Sequence, residues 1–260
     1  MRHSVLYTLV FSALLCVACA ILVSASAVVL KDAQEANKAL DRKLNVLEAA
    51  GLKAPGADLS AAEVDRLFAA IDQVFVDLAT GEEVEDGDPE TYDQQKAKRD
   101  PAQSHLAPEN RSRVTRLPNR VVVYKIENAA GRLETVVLPI EGYGLWGTLY
   151  GFLALAGDTS TVVGLTFHDH KETPGLGGEV ENPRWKALWP GREVYDREWR
   201  PALQVVKGAA GPAAEDPYRV DGLSGATITS RGVTNMIDFW LGPEGYGPYL
   251  ANLRSERSAA

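Results

Sequence analysis

Cysteine is almost absent from this sequence of 260 residues. The two cysteines, Cys16 and Cys19, both lie in an apolar stretch near the N-terminus. The sequence after that stretch therefore has no disulfide and no cysteine ligand for an iron–sulfur cluster or a zinc ion. We interpret both thiols as small, polarizable packing residues.

An excess of positive charge is also lacking. The chain has 27 Lys and Arg against 35 Asp and Glu, a formal net charge of −8 at pH 7. Proteins that bind DNA or RNA neutralise phosphates with clustered Lys and Arg. The composition therefore predicts no nucleic-acid partner, and it is compatible with a water-exposed domain beside a membrane.

The chain does have one long apolar run, over residues 4–30. A helix needs roughly twenty such residues to cross the hydrocarbon core of a bilayer. We therefore predict that residues 1–31 form a transmembrane anchor. Arg2 precedes the run, and a basic residue there favours an N-terminus in the cytoplasm with the rest of the chain across the membrane.

Two alternatives to a retained anchor exist. Ala25-Ser26-Ala27 fits the Ala-x-Ala pattern of a signal-peptide cleavage site. Cys19 faintly suggests a lipoprotein attachment site, although Cys16 stands where that pattern has a leucine. Both alternatives place the remaining chain on the same side of the membrane as the anchor does.

Residues 32–117 are predicted to be a helical segment followed by a polar linker. Apolar residues recur at helical spacing before Gly51, and Ser60 with Glu63 matches the Ser-x-x-Glu capping box of a second helix. The apolar stripe expected for the second helix consists of Val64, Leu67, Phe68, Ile71, Val74 and Phe75. Residues 82–113 are charged, polar and proline-containing, and we predict an exposed loop or linker.

Residues 118–260 are predicted to form one β-rich domain. Its runs of β-branched residues predict strands over residues 120–126, 133–138, 146–155 and 162–168. A later helix is expected to start near Thr229 or Ser230 and to stop at Gly242-Pro243. The predicted fold class is α+β: a single N-terminal transmembrane helix, then a soluble domain with a central, mostly antiparallel sheet flanked by helices.

The most informative motif is Asp-Gly-Leu-Ser-Gly-Ala-Thr, at residues 221–227. Gly222 and Gly225 have no Cβ, so a bulky group can approach this loop closely. The following helix begins nearby, and the free N–H groups at a helix start favour an anion. The arrangement suits a threonine, Thr227, that is to be chemically modified.

Two further glycine-rich motifs precede it: GYGLWGTLYG at residues 142–151 and ETPGLGGEV at residues 172–180, the latter followed by Asn182-Pro183. Their glycines permit a close approach of the backbone to a flat ligand. Large apolar side chains stand among these glycines, and we predict that they contact such a ligand. They are Leu145, Trp146 and Leu176.

In order and spacing, these three motifs resemble the C-subunit family of the Na+-translocating NADH:quinone reductases. The resemblance covers about residues 118–250. Proteins of respiratory membrane complexes carry FMN at the pattern Asp-Gly-x-Ser-Gly-Ala-Thr. The G subunit of the Rnf electron-transport complex shares that pattern and the Glu-Thr-Pro-Gly-Leu-Gly element, but the Gly-Leu-Trp-Gly element favours the C-subunit family.

The resemblance implies an FMN-binding domain at residues 118–260, with one FMN per chain esterified through its phosphate to Thr227. It implies that Asp221 belongs to the signal read by a flavin transferase, which uses FAD and a magnesium ion. Ser224, Gly225 and Ala226 are expected to shape the loop. The predicted flavin contacts are Leu145, Trp146 and Leu176 on the ring, and Thr173 and Gly177 at its polar edge or the ribityl chain, with Glu172 fixing their loop.

The function implied is that of an electron-carrying flavoprotein subunit of a membrane-bound, sodium-pumping NADH:quinone oxidoreductase, inactive alone. Its partners would be the other membrane subunits of the complex and, during maturation, the flavin transferase. The expected location is the bacterial inner membrane, with one span, a cytoplasmic N-terminus and a periplasmic main domain.

Three alternatives remain open from the sequence. The G subunit of the Rnf complex is the nearest within the flavoproteins. A cofactor-free exported binding or scaffold module is another, with the glycine-rich surfaces contacting proteins. A metal site formed by His168, His170 and Glu172 is the third, since alternation along a strand would put them on one face; we predict no metal.

Overall fold

The computed structural model describes residues 4–54 and 56–259. The chain divides into two compact units, one ending at Arg42 and the other running from Lys43. The boundary lies within helix α1, Val5–Ala49, which includes both the predicted anchor and the predicted helix before Gly51. Arg2, on which the predicted orientation depends, is outside the described residues.

In the first unit, the N-terminal part of α1 exposes its apolar side chains. Its most apolar window has a mean hydropathy of 2.7. By length and composition, α1 is able to cross a membrane once, and it is the one helix of the described residues that meets this test.

The second unit begins with the end of α1 and a short helix α2, Ala61–Phe68. The predicted capping box is confirmed: Ser60 Oγ accepts from Glu63 N at 3.4 Å, and Ser60 N donates to Glu63 Oε2 at 2.9 Å. The predicted length of this helix was wrong. Val74 and Phe75 lie in strand β1, Asp72–Asp77, because β-branched and aromatic residues in succession favour a half-buried strand over a further helical turn.

Residues 82–113, predicted to be a loop or linker, contain ordered elements. They are β2 (Glu83–Val84), α3 (Gln94–Arg99) and β3 (Ser104–Leu106), the last paired with β4 (Arg116–Pro118). Asp93 caps α3 by accepting hydrogen bonds from Gln95 N and Lys96 N, both at 3.0 Å. The part of the chain expected to be helix and linker therefore contributes two strands, β1 and β2, to the main sheet.

The main sheet has six strands in the order β2-β1-β5-β6-β7-β8. Its four long strands are β5 (Arg120–Glu127), β6 (Leu133–Tyr143), β7 (Thr148–Ala156) and β8 (Val162–Asp169). Every neighbouring pair is antiparallel. This confirms the predicted α+β class with a central antiparallel sheet flanked by helices.

Helix α5, Thr227–Leu241, packs on β6, and α6, Gly247–Ala259, follows it. Trp240 on the buried face of α5 donates from Nε1 to the carbonyl of Glu141 at 2.7 Å. A Cβ on Gly232 would lie 2.5 Å from the carbonyl of Tyr143, so glycine lets the helix approach the end of β6. This packing places the N-terminus of α5 beside the turn that follows β6.

The chain between β8 and α5 is mostly irregular. It contains a 3₁₀ helix (Gly177–Glu181), α4 (Pro183–Lys186), and the parallel two-stranded pair of β9 (Gln204–Val205) and β10 (Arg219–Val220). Strand β10 leads directly into the Asp221–Thr227 motif.

Candidate functional site

The buried carboxylate of Glu172 joins three segments of the chain. Its Oε1 accepts hydrogen bonds from the backbone N–H groups of Leu145 and Trp146, both at 2.9 Å. Its Oε2 accepts from the hydroxyl of Thr229 at 2.5 Å. Glu172 is only 5% exposed, so these charge-assisted bonds are shielded from water. The carboxylate thus holds the turn after β6, the loop after β8 and the first turn of α5 together.

Glycines leave the space that this carboxylate occupies. A Cβ on Gly144 would lie 2.6 Å from Glu172 Oε1. A Cβ on Gly177 would lie 2.5 Å from Glu172 Oε2 and 2.7 Å from Thr229 Oγ1. Side chains cannot be accommodated at those distances, which gives a structural reason for a glycine in each of the two motifs.

The segment before α5 is fixed by hydrogen bonds at both ends. The carbonyl of Asp221 accepts from Trp185 Nε1 at 2.8 Å, and its carboxylate accepts from Ala210 N at 2.8 Å. Leu223 N donates to Ser230 Oγ at 3.0 Å. Gly225 has a φ of +72°, a left-handed conformation that favours glycine. The loop is therefore held in a single turn that ends at Thr227.

Thr227 is exposed and is the first residue of α5. The predicted helix start, at Thr229 or Ser230, was wrong by two to three residues. The N-cap residue is Ala226, and no side chain caps the helix. Thr229 and Ser230, the predicted caps, lie inside the helix, where their hydroxyls bond Glu172 and Leu223 instead. An uncapped first turn leaves backbone N–H groups without helical partners next to the Thr227 hydroxyl.

Large apolar side chains are exposed around this point. Outside α1, seven large apolar residues of the described chain are exposed, and four of them belong to the segments joined at Glu172. These four are Leu145 (40% exposed), Trp146 (63%), Leu176 (44%) and Ile228 (53%). Leu176 also reaches the threonine loop, since a Cβ on Gly225 would lie 2.9 Å from its Cδ2. Such a concentration of exposed apolar surface is typical of binding sites.

The remaining predicted residues lie in the same region. Thr173 is exposed, and its carbonyl accepts hydrogen bonds from Leu176 N at 3.1 Å and Gly178 N at 3.0 Å, which closes the turn. Gly177 is buried beneath it, against the Glu172 carboxylate. Ser224 is exposed and Ala226 is buried, on either side of Gly225.

A cavity of about 650 Å³ opens beside Thr227. It lies between α5 and the chain after β9, and Ser224, Gly225 and Thr227 line it together with Lys207 and Arg231. Leu145, Trp146 and Leu176 are not among its lining residues. Sequence reasoning missed Lys207 and Arg231, because no motif marks either residue.

The turn after β6 also has the spacing Gly-x-Gly-x-x-Gly over residues 142–147. In dinucleotide-binding folds that spacing joins a strand to a helix within a parallel β-α-β unit. Here it joins the antiparallel strands β6 and β7. The spacing therefore does not mark a dinucleotide site.

The histidines near Glu172 have other partners. The ring of His168 stacks on Phe152 with centroids 5.2 Å apart. His170 Nδ1 accepts from Glu172 N at 3.1 Å, and its Nε2 lies 3.2 Å from a carboxylate oxygen of Glu181. Within residues 4–54 and 56–259, no group of three or more His, Cys, Asp or Glu side chains is placed to hold a metal ion.

Comparison with known proteins identifies the type of domain in this region and the family of the whole chain. A family model described as "FMN-binding domain" matches residues 144–242, which include the second and third motifs and all but the first two residues of the first. The C subunit of the Na+-translocating NADH-quinone reductase from Pseudomonas aeruginosa is 46% identical over 257 residues, covering 97% of both chains. The corresponding protein of Yersinia pestis is 43% identical over 250 residues, covering 95% of this chain and 92% of that protein.

Solved structures agree with these relatives. The crystal structure of Shewanella oneidensis NqrC matches with a TM-score of 0.78 and 31% identity, covering 85% of this chain and 99% of the other. The C-subunit structure from Parabacteroides distasonis matches with a TM-score of 0.63 and 27% identity, covering 85% and 96%. The chain belongs to the C-subunit family of the Na+-translocating NADH-quinone reductases, with an FMN-binding domain.

Proposed function

We propose that this chain carries electrons through one FMN, esterified by its phosphate to Thr227, as a subunit of a membrane-bound NADH:quinone reductase that pumps sodium. FMN accepts and donates one or two electrons when bound. The chain's own residues hold it, shape its surroundings and keep it from dissociating. The relatives are named as C subunits of the reductase, which supports this assignment over the G subunit of the Rnf complex.

One observation carries the proposal: Glu172 brings the exposed apolar side chains of two loops to the first turn of the helix that bears Thr227. Leu145, Trp146 and Leu176 offer apolar surface to a flat ring. Thr227 offers an exposed hydroxyl at the end of a fixed turn. The cavity of about 650 Å³ beside Thr227, which those three side chains do not line, leaves space for the polar part of such a ligand. The residues present therefore fit FMN.

The attachment we propose uses FAD and a flavin transferase. The oxygen of Thr227 forms a bond to the phosphorus nearer the flavin, the pyrophosphate P–O bond breaks, and AMP leaves. The hydroxyl proton passes to a base of the transferase, and no oxidant is needed. Asp221 remains the proposed recognition residue, and its carboxylate already fixes the loop by accepting from Ala210 N.

The proposed location follows from α1. One apolar helix indicates single-pass anchoring. We propose that it lies in a bacterial inner membrane, packed among the other subunits of the complex. With Arg2 in the cytoplasm, the FMN-binding domain faces the periplasm.

The test is the intact mass of the full chain co-expressed with a flavin transferase. We expect the wild type to gain the mass of one FMN less one water, and Thr227→Ala to gain nothing. Thr91→Ala is the matched control, since it removes an exposed threonine hydroxyl outside the three motifs and is expected to keep the flavin. A wild type that stays unmodified, while a known acceptor is flavinylated beside it, would refute the proposal and favour the cofactor-free binding module.

A further inference from the structure

We infer that Lys207 and Arg231 form the binding site for the phosphate of the attached FMN. This inference rests on the proposed function and assigns two residues that the motifs do not contain. Both side chains line the cavity beside Thr227.

The lining of this cavity carries positive charge, whereas the chain as a whole is acidic. Its thirteen lining residues include Lys207 and Arg231 and no Asp or Glu. The chain as a whole has 35 acidic and 27 basic residues. Within an acidic protein, a cavity with two cations and no acid is suited to an anion.

Neither cation is neutralised by the described part of the protein, where neither side chain has a hydrogen bond or an ion pair. Other arginines nearby are engaged. Arg219 pairs with Asp216 at 2.8 Å, and Arg192 donates to the carbonyls of Asp216 and Gly211 at 2.6 and 2.9 Å. The charges of Lys207 and Arg231 therefore remain available to a ligand.

The backbone holds both cations on the side of Thr227 that faces the cavity. Arg231 follows Thr227 by four residues on α5, and positions i and i+4 share a helix face, with the later side chain inclined toward the N-terminus. Lys207 follows β9 in a segment that two hydrogen bonds fix on either side of it. Val205 N donates to Thr234 Oγ1 at 2.9 Å, and Gly222 N donates to the carbonyl of Gly208 at 2.8 Å. A group attached to Thr227 thus lies between a helix and a fixed loop that each present a cation.

The chemistry of the ester matches these two side chains. A phosphate joined to both threonine and ribityl oxygens keeps one negative charge and two free oxygens. A guanidinium binds such oxygens through its fork of N–H groups, and an ammonium binds them as a point charge. The two cations neutralise the ester and hold the phosphate in place, so that the ribityl chain leaves Thr227 in one direction.

The experiment compares FMN with riboflavin, which lacks the phosphate. The unmodified full chain, made without a flavin transferase and kept in detergent, is titrated with each flavin and the quenching of flavin fluorescence is measured. We expect FMN to bind more tightly than riboflavin, and Lys207→Gln with Arg231→Gln to reduce that ratio by about tenfold. The matched control is Lys96→Gln with Arg132→Gln, which removes the same charge at exposed positions outside the cavity and the three motifs and should leave the ratio unchanged.

A ratio that is the same in wild type and in the double variant overturns the inference. If free flavins bind too weakly to measure, the ³¹P resonance of the flavinylated chain decides. The chemical shift of this resonance should change in Lys207→Gln and in Arg231→Gln and should not change in the control. A chemical shift that is unchanged in both single variants also overturns the inference. Intact mass on the same samples separates the outcomes, because a flavinylated chain with an unmoved resonance leaves the proposed function standing.

Discussion

Replacing Glu172 is the most direct test of how the site is held together. Glu172→Ala removes the acceptor of three hydrogen bonds, leaving the N–H groups of Leu145 and Trp146 and the hydroxyl of Thr229 around an emptied, buried space. Each unsatisfied buried donor costs about 1–3 kcal/mol. Because some water can enter so close to the surface, we expect a total loss of about 3 kcal/mol in the free energy of unfolding, near the low end of the sum.

Glu172→Gln separates the charge from the hydrogen bonds. The amide oxygen can still accept from the two backbone N–H groups, and the Thr229 hydroxyl can turn to accept from the amide NH₂. Only the difference between charged and neutral acceptors is lost, so we expect about 1 kcal/mol. The predicted order of stability is wild type, then Gln, then Ala.

The assay is urea unfolding of the full chain in detergent, followed by tryptophan fluorescence. Glu134→Ala, at an exposed glutamate of β6, is the control and should lie within about 0.5 kcal/mol of wild type. The flavinylated Gln variant adds a second readout. Its visible flavin absorption should move toward that of free flavin, since the loops bearing Leu145 and Leu176 are held less firmly. An Ala variant as stable as the control would refute the reasoning that this carboxylate holds the three segments together.

Two further predictions concern Gly177, beside Glu172, and Glu48, near the end of α1. In Gly177→Ala the added methyl group would lie 2.5 Å from a Glu172 oxygen. We therefore expect a loss of about 1–3 kcal/mol in the free energy of unfolding, and less bound flavin per chain as measured by absorbance. A variant with the stability and flavin content of the wild type would contradict this. Burial alone raises the pKa of Glu48, but hydrogen bonds and charges from Lys186 and Lys53 outweigh it and hold that pKa below its usual range. A carboxylate with a lowered pKa in the folded state adds stability that is complete above its unfolded pKa, near 4.5, and is lost as pH falls through the folded pKa. Glu48→Gln should therefore cost about 1 kcal/mol at pH 7 and nothing at the acid end of a pH series of urea unfolding, and a cost independent of pH would contradict the ion-pair account.

Much of the fold was predictable because local chemistry decides it. The Ser60–Glu63 capping box, the four long strands of the main sheet and the long apolar helix each depend on neighbours in the sequence or on a short repeat. The errors lay where distant packing overrides local pattern. Val74 and Phe75 fit a helical stripe, but they pair with Val123 and Val122 of β5, more than forty residues away.

The sequence by itself determined which chemistry belongs to this protein. Its three motifs carry the family resemblance, single out Thr227 as the acceptor we propose and account for the glycines, since these are properties of residue type and order. Only the tertiary structure decided how the motifs meet. The Glu172 carboxylate joins segments more than fifty residues apart, and the two cations beside Thr227 come from a loop and a helix that no motif connects. Such contacts form between residues that are far apart along the chain, and a local pattern cannot specify them.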